Sequence, residues 1–516
     1  MVDLNWNGKK NINSKVKISQ DNISSLQLLE RVHSPINDKL DKKNLIDLKK
    51  NYKKNKKIWE NILILGDNKL AISQLLTKFE NKINLIYFDP PFATGGDFNL
   101  KVFIGETNQS NSSRKWINKS AYDDSWKGGI DAYLSFMYER LLLMKKLLAD
   151  SGSIYVHLDW HMVHYLKIIM DEIFGSENFR NEIIWAYPAA SVQTRSFFIR
   201  SFDTILFYTK TDDYIFNDDI NIYMEYSDRV KKALKIDDKG TYYHRGGSHN
   251  GKKLSQKVYI KKRGIFPRDV WNDIPYVRAN TVEYQGFSTQ KPERLLKRII
   301  LASSNKGDIV ADFFCGSGTT LVVAEKLDRR WIGCDSSNYA INITYKRILD
   351  IGNGNDLYSW KKSYNKKSQP FNLFRIDKKK KVFYIPIEFI SSKSNNLEQL
   401  NVSKTPFFEV GIKKSQNSFF IELEDYKIPY KNLILDHIKE RISKWSDWVD
   451  YWAIDLDYNG KQFSNSWISY RTPKNRFLKL KAGPFKIVSS NRYEIMIKLC
   501  DIFGIETFHK IKMKIN

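Results

Sequence analysis

Asp89-Pro90-Pro91-Phe92 directly follows the apolar run 83–88, and Asp312-Phe313-Phe314-Cys315-Gly316-Ser317-Gly318-Thr319-Thr320 directly follows residues 308–311. Each stands where a buried strand should end. In the first, Asp89 offers a carboxylate oxygen and Pro90 a carbonyl to the N–H groups of an amine. A conjugated amine is a poor nucleophile because its lone pair is delocalised, and acceptors on its N–H groups favour the more tetrahedral form that attacks. The two prolines fix φ and stiffen the strand end, so these acceptors are preorganised. Phe92 adds a surface on which a planar ring can stack. In the second stretch, Gly316 and Gly318 sit at a strand-to-helix turn, where the missing Cβ lets a ligand approach the backbone. The free N–H groups of the helix that follows suit a carboxylate. Asp335, at the end of the next apolar run, stands where an acidic side chain binds ribose hydroxyls in doubly wound folds. A dinucleotide fingerprint would need a third glycine, and Leu321 occupies that place.

The elements that must position these residues alternate. Buried strands are expected at 62–65, 85–88, 153–158, 183–185, 204–208, 309–311 and 331–334. Helical apolar spacing recurs over 70–79, 133–148, 165–174, 294–302, 319–327 and 340–349. That rhythm implies a mostly parallel sheet covered on both faces. Residues 93–126 read as a long polar loop, and 188–280 break the rhythm. Beyond about 360 the pattern turns all-β: a strand at 381–385, a hairpin across 407–423, and period-two alternation at Trp452, Ile454, Leu456 and Tyr458, and again at Tyr493, Ile495, Ile497 and Leu499.

The formal net charge is +26, from 84 Lys+Arg against 58 Asp+Glu. A polyanionic partner and a general Lys-, Asn- and Ile-rich bias both account for it. Residues 1–60 read as a basic N-terminal arm, with eight lysines between Asp41 and Lys57. No apolar run approaches the roughly 20 residues of a membrane span, and the N-terminus lacks a secretory pattern. The three cysteines, Cys315, Cys334 and Cys500, have no metal-ligand spacing. A cytoplasmic protein with reduced thiols is expected. His157, His161 and His164 fall on a strand end and a helix start, so one shared coordination sphere, and hence a metal, is not expected.

Together the two motifs resemble the catalytic and S-adenosylmethionine-binding motifs of amino-methylating DNA methyltransferases. Their order, catalytic motif first, resembles the circularly permuted β class of adenine-N6 enzymes, including the modification subunits of type III restriction–modification systems. The resemblance covers roughly residues 60–350. It implies an α/β, doubly wound, Rossmann-like methyltransferase fold over 61–360, with a target-recognition region inserted at 188–285. It implies that Asp89, Pro90, Pro91 and Phe92 are catalytic. It also implies that S-adenosyl-L-methionine is held by Asp67, Gln290, Lys291, Pro292, Asp312, Phe314, Gly316, Ser317, Gly318, Thr319, Thr320 and Asp335. For Asp67 and Asp335 a strand-end turn or helix cap is the competing reading. Methyl transfer would run in line onto a flipped base, with no covalent enzyme intermediate.

In the recognition region Arg195, Arg200, Arg245 and Lys252 are candidate DNA contacts, beside Tyr242, Tyr243 and His244. Residues 361–516 resemble immunoglobulin-like modules appended to some of these enzymes, a docking or dimerisation surface. The acidic residues at 450–457 read either as a calcium site or as surface positions of a strand. Implied partners are duplex DNA, a second copy in a homodimer, and a restriction or helicase subunit. Cytosine-N4 enzymes usually carry Ser where Asp89 stands. A cytosine-N4 or RNA adenine methyltransferase, or a DNA-recognition subunit active only with a partner, remain the alternatives.

Overall fold

The computed structural model describes residues 3–10, 12, 25–34, 59–106, 115–124, 126–187, 196, 198–249, 252–260, 264–376, 406–429, 431–486 and 492–514. The lysine-rich stretch 41–57, the expected strand at 381–385 and Arg195 lie outside these residues.

The chain runs through β1 (Gln27–Val32), β2 (Asn61–Gly66), α1 (Asn68–Phe79), β3 (Ile83–Phe88), β4 (Asp97–Phe103), β5 (Trp116–Asp123), α2 (Gly129–Leu147), β6 (Leu148–Leu158), α3 (Val163–Phe174), β7 (Phe179–Ala186) and β8 (Phe202–Thr209). Next come β9 (Lys235–Asp237), β10 (Gly240–His249), β11 (Lys252–Tyr259), β12 (Val270–Trp271), α4 (Glu293–Ser303), β13 (Ile309–Asp312), α5 (Thr319–Lys326), β14 (Arg330–Asp335), α6 (Asn338–Leu349) and β15 (Phe371–Ile376). The C-terminal strands are β16 (Phe407–Ser415), β17 (Ser418–Lys427), β18 (Val449–Asp455), β19 (Phe463–Ser464), β20 (Trp467–Tyr470), β21 (Lys481–Lys486), β22 (Arg492–Asp501) and β23 (Glu506–Lys514).

One 11-stranded sheet organises the molecule, in the order β12-β7-β8-β6-β3-β13-β14-β2-β15-β1-β19. Its centre, from β6 to β15, is parallel. β8 runs antiparallel to both β6 and β7, and β1 antiparallel to β15, so the sheet is mixed. Helices α1 to α3 pack on one face with Ile64, Ile86, Phe88 and Val156. Helices α4 to α6 pack on the other with Leu63, Leu85, Val310 and Trp331. Central strands are buried on both faces, which is why they read as continuous apolar runs.

Three expectations need correction. The stretch 93–126 is not only loop: β4 and β5 form an antiparallel hairpin. Its apolar positions Leu100, Phe103, Ile104 and Ile117 are buried, but the polar residues between them mask a short alternation. The main sheet also extends beyond 61–360, since β1, β15 and β19 lie outside those limits. The third concerns the C-terminal residues. They form a three-stranded sheet, β16-β17-β21, and a four-stranded sheet, β20-β18-β22-β23. Trp452, Ile454, Ile497 and Leu499 face a core shared by these two sheets. The alternate residues Tyr451, Ala453 and Cys500 are buried against the core of the large sheet, so β18 is covered on both faces. Asp450 therefore pairs with Lys346 of α6 at 2.5 Å. Asp455 is buried and accepts from the amides of Ser464 and Asp457. Asp450 and Asp455 are therefore structural, whereas Asp457, the third acid of this stretch, is an exposed surface position as expected.

Ionic groups at this junction are paired, as burial requires. Lys498 bridges Glu30 of β1 and Glu506 of β23, and Tyr345 of α6 donates to Glu30 at 2.9 Å. Arg476 donates to the carbonyls of Phe103 and Gly105, fastening the C-terminal strands to the β4–β5 hairpin.

Asp501 accepts from Tyr426 Oη and from the amides of Phe503 and Ile505, each at 2.9 Å. Burial nonetheless pushes its carboxyl up to about 7. The folded state therefore binds the proton more tightly than the unfolded chain, whose carboxyl titrates near 4. The resulting contribution to stability is complete below about pH 4 and is lost as pH rises through 7. Thermal unfolding between pH 5 and 7 should show this loss, at most ~1.4 kcal/mol per pH unit, in the wild type and not in Asp501→Asn. Parallel pH profiles for the two proteins would refute it.

Candidate active site

Four adjacent parallel strands, β3, β13, β14 and β2, deliver Asp89, Asp312, Asp335 and Asp67 to one edge of the sheet. The pairing of Val310 with Leu85 and Ala311 with Ile86 brings the two sequence motifs side by side. The ends of parallel strands are the usual binding crevice of open α/β sheets. A cavity of about 290 Å³ lies there, lined by Asp67, Asp89, Gln290, Lys291, Asp312, Phe314, Gly316, Ser317, Thr319, Thr320 and Asp335, all singled out from the sequence. Pro91 also lines it, while Phe92 lies to one side, its ring stacked on His157 at 6.4 Å.

The glycine-bearing loop is held from below. Asp312 accepts from the Phe314 amide (3.0 Å) and Thr320 Oγ1 (2.6 Å). Burial outweighs these donors and pushes its carboxyl up to about 7. Asp335 accepts from the Gly316 amide at 2.9 Å and the Ser337 amide at 2.8 Å; burial raises it too. Gly316 and Gly318 have φ of +50° and +74°, the left-handed region. Arg347 of α6 donates to Ser317 O and Thr319 Oγ1, and pairs with Glu293 at 3.0 Å. Burial pushes Glu293 up, but Lys326 and Arg347 outweigh it and hold the carboxyl below its ordinary range.

Asp67 is the N-cap of α1: its Oδ1 accepts from the Leu70 amide at 3.0 Å, and its Oδ2 pairs with Arg140 at 3.1 Å. The cap reading and cavity lining thus coincide at this residue. Gln290 bridges the Gln285 amide and the Glu283 carbonyl, shaping the loop before α4, and Pro292 is the N-cap of that helix. Phe314 stacks on Phe88 at 5.7 Å.

Lys291 makes the direct link between the two motifs. Its Nζ lies 2.6 Å from Asp89 Oδ2, and its carbonyl accepts from Thr319 Oγ1 at 3.1 Å. The other oxygen, Asp89 Oδ1, is buried and accepts no hydrogen bond from the described residues.

Three residues here were given no role in this site from the sequence, His157 having been weighed only as a metal ligand. Arg140 is buried, and burial lowers it to about 10. Its position on the apolar face of α2, between Met137 and Leu141, was the available signal. His157 is buried between Tyr87 Oη (2.9 Å) and Asp203 Oδ2 (3.0 Å), beneath Phe92. Asp124 is also buried. It accepts from the amides of Ala93 (2.9 Å) and Thr94 (2.8 Å) and from Thr94 Oγ1, fixing the chain just after Phe92. An amide at 124 has only one acceptor oxygen, so Asp124→Asn should lower the turnover of the assay described below about tenfold to a hundredfold. Turnover within a factor of two of wild type would exclude this role.

Of the recognition candidates, the Arg200 guanidinium lies 3.8 Å from the ring of Trp160, just past β6 at the same sheet edge. Arg245, on β10, is exposed, and Lys252 begins β11; β9, β10 and β11 form a separate three-stranded sheet. His161 is bonded to Asp159, and among the described residues no group of three or more His, Cys, Asp or Glu is placed to hold a metal ion. No helix among them is long and apolar enough to cross a membrane.

Residues 83–346 match the N6/N4 methyltransferase family model, described as DNA methylase. The chain belongs to this DNA methylase family, whose members act in restriction–modification systems among others. It is 34% identical over 334 residues to the type II methyltransferase M.EcaI of Enterobacter cloacae, covering 56% of this chain and 70% of that one. It is 29% identical over 290 residues to the DNA adenine methyltransferase YhdJ of Escherichia coli, covering 55% and 82%. Against the type III restriction–modification enzyme StyLTI Mod subunit of Salmonella typhimurium it is 27% identical over 322 residues, covering 50% of this chain and 49% of the relative.

S-adenosyl-L-methionine is the cofactor of this family, and the cavity fits it on its own terms. It joins a glycine cradle and a helix N-terminus to four strand-end carboxylates, one of which, Asp89, carries an acceptor without a donor among the described residues.

Proposed function

We propose that the protein is a site-specific DNA methyltransferase of the permuted β class that modifies N6 of a flipped-out adenine in duplex DNA. The observation that carries this reading is the buried, donor-less Asp89 Oδ1 at the rim of the cofactor cavity. A buried acceptor left unsatisfied costs roughly 1–3 kcal/mol, and an incoming amine would supply the donor that this one lacks.

When bound, S-adenosylmethionine supplies an electrophilic methyl group on a sulfonium. Gly316, Ser317, Gly318 and the first turn of α5 would receive its carboxylate end. Asp335 would hold its ribose and Asp67 its adenine, with Gln290, Phe314, Thr319 and Thr320 completing the walls, while Pro292, the N-cap of α4, stands outside the lining. Asp89 Oδ1 and the Pro90 carbonyl accept the N–H groups of the target amine and favour its tetrahedral form. Pro91 keeps that strand end stiff, and Phe92, backed by His157, stacks on the base. A base within the duplex cannot reach this pocket, so flipping is required. Residues 188–285, with Arg195, Arg200, Arg245 and Lys252, grip and read the DNA.

Aspartate rather than serine at 89 favours adenine over cytosine, as does the likeness to a relative named a DNA adenine methyltransferase. The likeness to a type III Mod subunit supports a restriction–modification setting with a restriction subunit as partner. A homodimer and a cytoplasmic location complete the reading.

The test is incubation with radiolabelled S-adenosylmethionine and varied duplex DNA, followed by digestion to nucleosides. Label in N6-methyladenosine is the expected result. Label in N4-methylcytosine would overturn the base assignment, and no label would overturn activity of the chain by itself.

A further inference from the structure

We infer that Lys291 is a positioning residue of the amine-acceptor site, and that its ammonium acts through Asp89 instead of gripping the cofactor. This rests on the proposed reaction and deepens it. A carboxylate has two oxygens and can rotate about its last bond, so a lone Asp89 at a strand end could present either one, at a range of angles. The Lys291 ammonium removes that freedom. It holds Oδ2 at 2.6 Å, and both side chains are largely buried, 10% exposed for Lys291 and 19% for Asp89. Pairing at this burial is charge-assisted and weakly screened. The oxygen left over, Oδ1, is the one that accepts nothing from the described residues.

The lysine is itself held at both ends. Its ammonium lies 5.5 Å from the centre of the Phe92 ring, so the same cation touches both side chains of the motif that meet the base. Its backbone carbonyl accepts from Thr319 Oγ1, and Thr319 Oγ1 in turn accepts from Arg347. Thr319 is the first residue of α5, the helix whose free N–H groups face the cofactor cavity. One residue therefore registers the acceptor oxygen against the cofactor loop. Positioning of that kind strengthens only in the reacting complex, so it acts on turnover more than on cofactor affinity.

The experiment compares Lys291→Met and Lys291→Arg with wild type. Calorimetry of S-adenosylmethionine binding without DNA needs no turnover, so this arm stands apart from the methylation assay. The Met variant should bind within about threefold of wild type. A tenfold or larger fall in affinity would make Lys291 a cofactor ligand and overturn the inference. At saturating cofactor and DNA, kcat of the Met variant should fall about a hundredfold, with the KM for cofactor little changed. Arg, which can still pair with a carboxylate, should recover at least about tenfold over Met. A Met variant with wild-type kcat, or one whose loss lies wholly in cofactor KM, would also overturn it. Failure of the proposed reaction reads differently: the wild type itself would leave adenine unlabelled.

Discussion

Asp89→Ala should lower single-turnover methylation about a thousandfold, a loss of ~4 kcal/mol of transition-state stabilisation, while cofactor binding stays within a few-fold of wild type. The split follows from how the two oxygens are engaged. Oδ2 is tied to Lys291, and Oδ1 is buried at the cavity rim with no donor among the described residues. The gain from Oδ1 comes only when an amine approaches and sharpens toward tetrahedral geometry. Removing it leaves the glycine cradle, Asp335 and α5 untouched. Asp89→Asn should lose nearly as much. Its amide has one acceptor oxygen: facing Lys291, it turns an N–H donor toward the amine, and facing the amine, it turns that donor toward an ammonium. The measurement is a rapid-quench single turnover with labelled cofactor, paired with calorimetry. More than a tenth of wild-type rate in Asp89→Ala would remove Asp89 from the reaction.

The second large effect concerns the cradle. A Cβ added at Gly318 would lie 2.6 Å from Thr344 Oγ1 and 2.7 Å from its Cγ2. The threonine cannot swing away freely, because its hydroxyl donates to the Gly316 carbonyl at 3.0 Å. The backbone there is also left-handed, at φ +74°, which costs a residue with a Cβ roughly 1–2 kcal/mol. Gly318→Ala should therefore weaken S-adenosylmethionine binding by at least about thirtyfold and lower Tm by several degrees. Gly316→Ala is the internal contrast. Its Cβ would meet the Phe287 ring at 3.7 Å, an ordinary contact, so only the backbone cost remains. Adding Thr344→Ala to Gly318→Ala should restore part of the affinity, since it removes the two closest contacts and leaves the 3.0 Å approach to the residue 344 Cβ and the φ cost. Equal effects of Gly316→Ala and Gly318→Ala would show that packing against Thr344 is not what shapes the cradle.

The two motifs of the candidate site were legible in the sequence because each is local. Asp89 to Phe92 and Asp312 to Thr320 each occupy one strand end and one turn, and a turn's demands on proline and glycine are met within a few residues. The strands and helices around them were legible because burial on both sheet faces and on one helix face imposes periods that can be read from apolar spacing. Those same periods hid the hairpin β4–β5 among polar residues. They also made β18 look one-sided, because nothing local announces that Tyr451 and Ala453 are covered by the large sheet.

What only the tertiary structure decided is adjacency. Strands β3 and β13 are distant in sequence and pair only through the sheet; their register sets Asp89 beside the cofactor cavity. The Lys291 ion pair with Asp89, the grip of Asp124 on the residues after Phe92, and the seat of Phe92 on His157 all join segments far apart in the chain. Such contacts depend on which elements become neighbours after the chain closes its long loops, and short-range pattern carries no record of that. A buried Arg140 on an apolar helix face left only a faint trace in the sequence, a charge where a hydrophobe was expected, and the fully buried Asp124 left none, because it lies in a stretch that reads as polar loop. The residue types state what reaction is within reach, and the packing of the sheet decides which Asp89 oxygen is paired and which is left without a donor among the described residues.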